Sequence, residues 1–357
     1  MKTKFILLCA ATAVLAACAK TEVTPEVLNQ DAEITFLTAP VTKAVTKFEN
    51  TNVFQSAAFY DVTDFSYTST SSENYIEPTL VKYWADNNVW KAAASASATE
   101  PTRYYWPKDG GMLSFFSWSL NKDNLTFNCG VTPTITKDKG VAVTGFSSLD
   151  NDDFMVADPA LDKTYNETEY TATSGVAAGV PTLFKHQTAQ VLIKVRTKED
   201  YTGNPYNQVF TVNEINFIGL KTKGNYTQST TDGWSDLVTS DGTATASDEY
   251  FNGSQVVNYK ANLSDAEKVT STATYSLLPQ TPTAKAEKLQ VKYNVARGTQ
   301  NKDYTSEVDI NTLLGDGVAI EKGKIYVITL TFSLDEIMWD PAVVDWETAD
   351  KGEYEIK

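Results

Sequence analysis

Short apolar runs, each cut off by turn-forming residues, recur along most of this chain, and no stretch of a dozen residues keeps a helical repeat. Ala57-Ala58-Phe59-Tyr60, Leu80-Val81-Lys82-Tyr83-Trp84, Val89-Trp90 and the run from Met112 to Trp118 follow one another at short spacing. Between them lie segments rich in Ser, Thr, Asn, Gly or Pro, which end a strand by supplying turn geometry or by removing a ladder donor. With 18 Tyr and 16 Phe, and with Thr and Val throughout, the side chains suit a pleated, half-buried surface. The chain is predicted to be all-β.

A length of 357 residues exceeds one ordinary core and predicts about two domains. Asp86-Asn87-Asn88 is the expected turn of a hairpin, and the large aromatics on both faces of Met112–Trp118 predict a central strand. Val41 to Asn50 is expected to be an exposed loop open to proteases. Apolar content falls between residues 160 and 181 and returns at Ala189–Val195, which places a domain boundary there. Further strands are expected at Val212–Leu220, Ala273–Leu278, Leu289–Tyr293, Ile325–Phe332 and Val343–Trp346, with one short helix near Asp309–Leu314. In Ile325–Phe332 the face carrying Tyr326, Ile328, Leu330 and Phe332 is the predicted core face. Two tandem antiparallel β-sandwich domains, 33–178 and 179–357, are the economical architecture.

The N-terminus carries an export signal. Lys2 and Lys4 precede an apolar run, Phe5 to Val14, that is too short to span a bilayer, so residues 1–17 are a leader to be removed. Leu15-Ala16-Ala17-Cys18 fits a bacterial lipoprotein site, in which Cys18 takes up lipid on its thiol and becomes the first residue. The alternative is an ordinary secretory leader with an incidental cysteine. Several acyl chains on one cysteine anchor stably where a single chain does not. Residues 18–32 are polar and suit a tether. With Cys9 in the leader and Cys18 lipidated, Cys129 has no disulfide partner and is expected to be a buried apolar residue or a tolerated thiol rather than a nucleophile.

A net charge of -15, with no basic cluster, excludes nucleic acid as a partner. His186 is the one histidine, and no nucleophile signature accompanies it, so it is expected to pack or hydrogen-bond at a strand entrance. Asp150, Asp152, Asp153 and Asp158 contain oxygen ligands that calcium prefers, without an EF-hand spacing, and are expected to form a solvated acidic turn. Trp84, Trp90 and Trp234 are candidates to stack on a sugar ring, though tryptophans in a sandwich are usually core residues. There is no phosphate loop and no dinucleotide fingerprint. No catalytic, metal-binding or cofactor-binding residue is nominated, and the chain is not expected to be an enzyme.

Several short patterns resemble, in order, the fimbrillin family of Bacteroidetes, the pilins of type V pili. They are the lipoprotein cysteine Cys18, Tyr105-Trp106-Pro107 followed by Leu113-Ser114-Phe115-Phe116-Ser117, Asp153-Phe154-Met155-Val156-Ala157, and Phe184 to Val191. Gly224-Asn225-Tyr226 with Trp234, Leu278-Pro279-Gln280, Lys322 to Tyr326 and Val344-Asp345-Trp346 complete the set. Thr188 stands where the family usually has an apolar residue and is expected to pack less deeply. The resemblance implies two transthyretin-like sandwiches, an outer-membrane lipoprotein precursor, and assembly with other pilin subunits by strand exchange after proteolysis. Cleavage is then expected at Lys43 or Lys47, with Lys43-Ala44 the closer match. Removing Glu33–Leu37, with Ile34 and Phe36, would open an edge for another chain's strand. Val344 and Trp346 share one strand face, as do Tyr354 and Ile356, and these residues either donate that strand or close their own domain. A different class of function, a permanently anchored lipoprotein binding glycans or host ligands, remains the alternative.

Overall fold

The computed structural model describes residues 32–38, 48–68, 74–86, 88–150, 152–165, 179–203, 205–230, 233–269, 275–334 and 337–345. Among them the only helical segments are the turn Ser148–Asp150 and the helix Ile310–Leu314, the latter where the sequence places it. The first half contains β1 (Phe36–Leu37), β2 (Val53–Asp61), β3 (Asn74–Trp84), β4 (Val89–Ala93), β5 (Met112–Ser119), β6 (Thr134–Thr136), β7 (Gly140–Ser147), β8 (Met155–Ala157) and β9 (Ala160–Lys163). β10 (Val180–Pro181) and β11 (Phe184–His186) follow.

Nine of these strands form one sheet, ordered β10-β1-β4-β3-β2-β5-β8-β11, with β9 also on β5. Its two ends are joined by only Thr182 and Leu183, so residues 180–186 run as one bent segment that pairs with β1 at its start and with β8 at its finish. The Thr182 amide donates to the Leu37 carbonyl at 2.8 Å and the Asp158 amide to the Leu183 carbonyl at 3.1 Å, which brings the sheet round on itself.

Both faces of this sheet are buried. Phe54 and Ala58 of β2, Leu113 and Phe115 of β5, and Met155 and Ala157 of β8 line the inner core. Ala57 and Phe59, Phe116 and Trp118, and Val156 point the opposite way into a second core. Two-residue periodicity with apolar side chains on both faces produces this arrangement, and β5 is indeed interior to the sheet. Phe48 falls in the stretch expected to be exposed, yet it is buried and stacks on Phe184 with ring centroids 4.7 Å apart. A large aromatic next to an apolar groove gains more from burial than the surrounding polar composition suggests.

The second half contains β12 (Ala189–Thr197), β13 (Gln208–Ile218), β14 (Lys221–Thr227), β15 (Trp234–Thr239), β16 (Ser247–Val257), β17 (Glu267–Lys268) and β18 (Tyr275–Leu277). β19 (Lys288–Arg297), β20 (Gln300–Asp309), β21 (Lys324–Phe332) and β22 (Ile337–Asp345) complete it. A five-stranded sheet, β17-β12-β21-β22 with β18 also on β12, faces a four-stranded sheet, β16-β13-β19-β20. Tyr326, Ile328, Leu330 and Phe332 enter the core between them, as the alternation predicts. Ile310 and Leu313 of the short helix join that core, and Gly315, at a φ of 105° that favours glycine, ends the helix. Pairing departs from the antiparallel expectation at β1 with β10 and at β12 with β21, which run parallel. Parallel neighbours require a crossover, and here everything between Thr197 and Lys324 serves as one.

The two sandwiches share chain. The β14–β15 hairpin pairs with β7, giving a four-stranded sheet β15-β14-β7-β6 that covers the outer face of the nine-stranded sheet. Tyr226 and Leu278 from the second half therefore lie in one core with Phe116, Trp118, Phe146 and Phe154 from the first. Residues on both sides of the expected 178/179 boundary build that core. Because Leu278 is fully buried there, Leu278→Ala is expected to cost about 2–5 kcal/mol. Calorimetry should show the chain unfolding in one cooperative transition that this substitution lowers. Two resolved transitions, only one of them shifted, would mean the sandwiches are independent.

Candidate functional site

β1 is among the shortest strands, yet it is paired on both sides, with β4 and with β10. Residues 33–38 alternate Glu, Ile, Thr, Phe, Leu, Thr, and the alternation puts Ile34, Phe36 and Thr38 inward, where all three are buried. Phe36 packs edge-on against Phe54 and Phe115 at centroid separations of 5.4 and 5.9 Å. Each buried Phe or Ile side chain contributes about 1.5–3 kcal/mol by leaving water.

The backbone of this segment is held on both sides. The Ile34 amide donates to the Tyr104 carbonyl at 2.8 Å, and the Trp106 amide donates to the Ala32 carbonyl at 3.0 Å. On the other side the Val180 amide donates to the Thr35 carbonyl at 2.7 Å, and the Thr182 amide to the Leu37 carbonyl at 2.8 Å. Gly179 passes so close that a Cβ on it would lie 2.6 Å from the Phe36 carbonyl carbon. Lys91 of β4 reaches Glu33 at 2.5 Å with both side chains mostly out of solvent. Removing either partner would leave a partly desolvated charge, so the pair fixes the register of the segment. With β1 gone, β4 and β10 would each present an unpaired edge around a groove lined by Phe54, Trp90, Phe115 and Phe184.

The other candidate residues lie elsewhere. Ile34 and Phe36 occupy the seat, whereas Val344 lies in β22, paired with Ile325 and packed with Val327, Leu192 and Ala342 on the outer face of its own sheet. Cys18, Lys43, Lys47, Trp346, Tyr354 and Ile356 lie outside the described residues. His186 is buried and its Nδ1 lies 2.6 Å from Asp153 Oδ1, so it packs and hydrogen-bonds at the β11–β12 passage.

The acidic turn is less solvated than expected. Asp152 is buried and accepts from Lys122 Nζ at 3.1 Å and from the Asn128 amide at 2.6 Å. Asp158 pairs with Lys185, and among the described residues no group of three or more His, Cys, Asp or Glu is placed to hold a metal. Thr188 is fully buried, against the expectation of shallow packing, in the bend between β11 and β12, where its carbonyl accepts from the Gly323 amide at 2.9 Å. Cys129 is half-buried against the outer core.

The tryptophans serve the cores rather than the surface. Trp90 packs among Phe48, Phe54 and Tyr83, and Trp234 sits against Phe146, Phe154 and Tyr226 while its Nε1 donates to the Gln187 carbonyl at 2.7 Å. Trp84 is half-buried under Lys82, whose Nζ lies 4.7 Å from the ring centroid. The sequence marks Tyr105-Trp106-Pro107 as a motif but not as the strap that holds β1, and it gives no sign of the parts played by Lys91 and Gly179. Gly179 closes a small-residue run that reads as a linker, and only the passing Phe36 backbone reveals its purpose.

The sequence matches the model of the fimbrillin-like family over residues 42–346. A crystal structure of a fimbrial protein from Bacteroides vulgatus superposes with a TM-score of 0.54 at 15% identity, covering 82% of this chain and 92% of that one. A Bacteroides uniformis protein assigned to cell adhesion gives a TM-score of 0.50 at 15% identity, covering 88% and 98%. At this identity the likeness concerns the fold. No curated protein matches the sequence. Among the described residues no helix is long and apolar enough to cross a membrane.

Gly179→Ala is expected to push β1 from its seat, because the added carbon meets backbone that cannot rotate away. Hydrogen exchange should show faster exchange at the Val180 and Thr182 amides, with little change in β19 and β20. Unaltered protection at both amides would disprove the tight approach.

Proposed function

Because this chain belongs to the fimbrillin-like family, we propose that it is a structural, non-enzymatic pilin subunit. It is exported as an outer-membrane lipoprotein precursor and assembles at the cell surface with other pilin subunits by proteolysis-triggered strand replacement. The observation that carries this reading is the seat of β1, a two-residue strand inserted between β4 and β10. A strand in that position can be replaced by another without rebuilding anything around it.

The steps follow from the order of residues. Lipid on Cys18 holds the precursor on the membrane while β1 is seated. Lys43 and Lys47 lie between β1 and Phe48, so a cut at either leaves β1 held by non-covalent contacts alone. Departure of the lipidated segment then removes the anchor and opens the groove together. Residues 346–357 of another copy supply the replacement, since Tyr354 and Ile356 repeat the i, i+2 apolar spacing of Ile34 and Phe36. Val344 stays paired on β21, so donation starts beyond Asp345. A surface-assembled polymer suits the net charge of -15, which keeps subunits soluble until an edge opens. The fold shared with fimbrial and cell-adhesion proteins supports the same surface location.

The test uses the purified precursor. Brief trypsin treatment should give an N-terminus at Ala44 and a concentration-dependent ladder of oligomers by electrophoresis and electron microscopy. Deleting residues 346–357 should abolish the ladder while the unfolding transition stays in place. A cut protein that has lost residues 32–38 and remains monomeric at high concentration would sink the proposal. In cells, Cys18→Ala should eliminate incorporation of labelled palmitate.

A further inference from the structure

The loop between β4 and β5 builds a second feature. Pro107, Lys108 and Asp109 project over the ends of β2 and β3, and with Tyr60, Asn74 and Tyr75 they enclose an open cleft of about 350 Å³. Such a volume is at the small end of ligand clefts, which span about 300–1,000 Å³. Its lining combines two aromatic rings with charged and amide groups of both hydrogen-bonding senses.

Both rings are fixed before any ligand arrives. The Tyr60 hydroxyl donates to Asp109 Oδ2 at 2.7 Å, and the Tyr75 hydroxyl donates to the Tyr105 carbonyl at 2.7 Å. Their rings lie 6.3 Å apart between centroids and 27° from parallel, too close for a third ring between them, so together they offer one shared aromatic face. Gly111 makes room for Tyr60, since a Cβ there would stand 2.0 Å from its ring. The Gly111 amide also donates to Asp109 Oδ1 at 3.0 Å, which orients the carboxylate and, after the stronger bond from Tyr60, holds its pKa below the usual value. Asn74 commits its amide hydrogens to Glu77 at 2.9 and 3.0 Å, which leaves its carbonyl oxygen to accept. Rings and carboxylate that are already ordered lose little freedom on binding.

We propose that this cleft binds a neutral pyranose sugar, with Tyr75 and Tyr60 as a shared stacking face and Asp109, Asn74 and Lys108 as the hydroxyl-reading groups. A sugar ring offers an apolar face of C–H bonds, weakly positive, which fits the negative face of a tyrosine ring. Around its rim, hydroxyls donate to Asp109 and Asn74 and accept from Lys108. Among the lining residues Lys108 and Asp109 cancel in formal charge, so the lining itself carries no net charge to anchor an ion. Two tyrosines and a carboxylate would also suit an alkylammonium group, but the Lys108 ammonium in the lining opposes it. The cleft is tied to the first strand as well. The strap that carries it is held by Ala32 and Ile34, and Tyr105, which accepts from Tyr75, bridges to Glu33.

The proposal does not rest on strand replacement, because binding is read on the uncut, monomeric full chain. Saturation-transfer NMR with a panel of neutral methyl glycosides should show saturable contact with ring protons of at least one. Tyr75→Ala should weaken that binding at least tenfold and Asp109→Ala comparably. Tyr75 is partly exposed, so the first variant should keep the wild-type unfolding transition. If it does not, Lys108→Ala on the loop provides the same test. No saturable binding to any glycoside, binding unchanged by these substitutions, or displacement of the sugar by tetramethylammonium at comparable concentration would each overturn the proposal.

Discussion

The pairing of β1 with β4 on one side and β10 on the other closes the first sandwich. Residues 180–186 join the ends of the nine-stranded sheet only while β1 fills the space between β4 and β10. The inner core depends on that closure, because Phe36 supplies the ring that Phe54 and Phe115 pack against. A two-residue strand cannot generate such a hold from hydrogen bonds alone, which net about 0.5–1.5 kcal/mol each. Inward burial of Ile34 and Phe36, the Glu33–Lys91 pair and the close passage of Gly179 add the rest.

Sharing of chain between the sandwiches makes the molecule one mechanical object. β14 and β15 leave the second half to cover the first, and Trp234 is pinned by a hydrogen bond to Gln187 at the passage between them. Lys322 reaches the Gln187 side chain at 3.0 Å from the far end of the second half. The strand replacement proposed above would therefore load a strand into a body that is already braced.

The sequence disclosed those parts whose side chains alternate cleanly. The face of β21, the two-faced aromatic character of β5 and the helix Ile310–Leu314 were legible because burial in each follows a local period. β16 and β20 were not, because they are mostly exposed and their polar residues resemble loop composition. β14 and β15 escaped for a different reason: Tyr226, Trp234 and Leu237 pack in a core with residues far away in sequence. The candidate seat was half legible. Ile34 and Phe36 stood out as an alternating pair, while Gly179, Lys91 and the Tyr104–Trp106 strap act through distant contacts that spacing does not encode. Phe48 was misplaced because one aromatic looks the same in a loop, a core or a binding face until its neighbours are known.

The parallel pairing of β12 with β21 bears on timing. β12 cannot acquire its central neighbour until nearly the whole second half has been delivered, so the five-stranded sheet is a late event in folding. Topologies dominated by such distant contacts fold slowly. The nine-stranded sheet, by contrast, ends at His186 and needs none of those last strands, so the two halves of the molecule become rigid at different times.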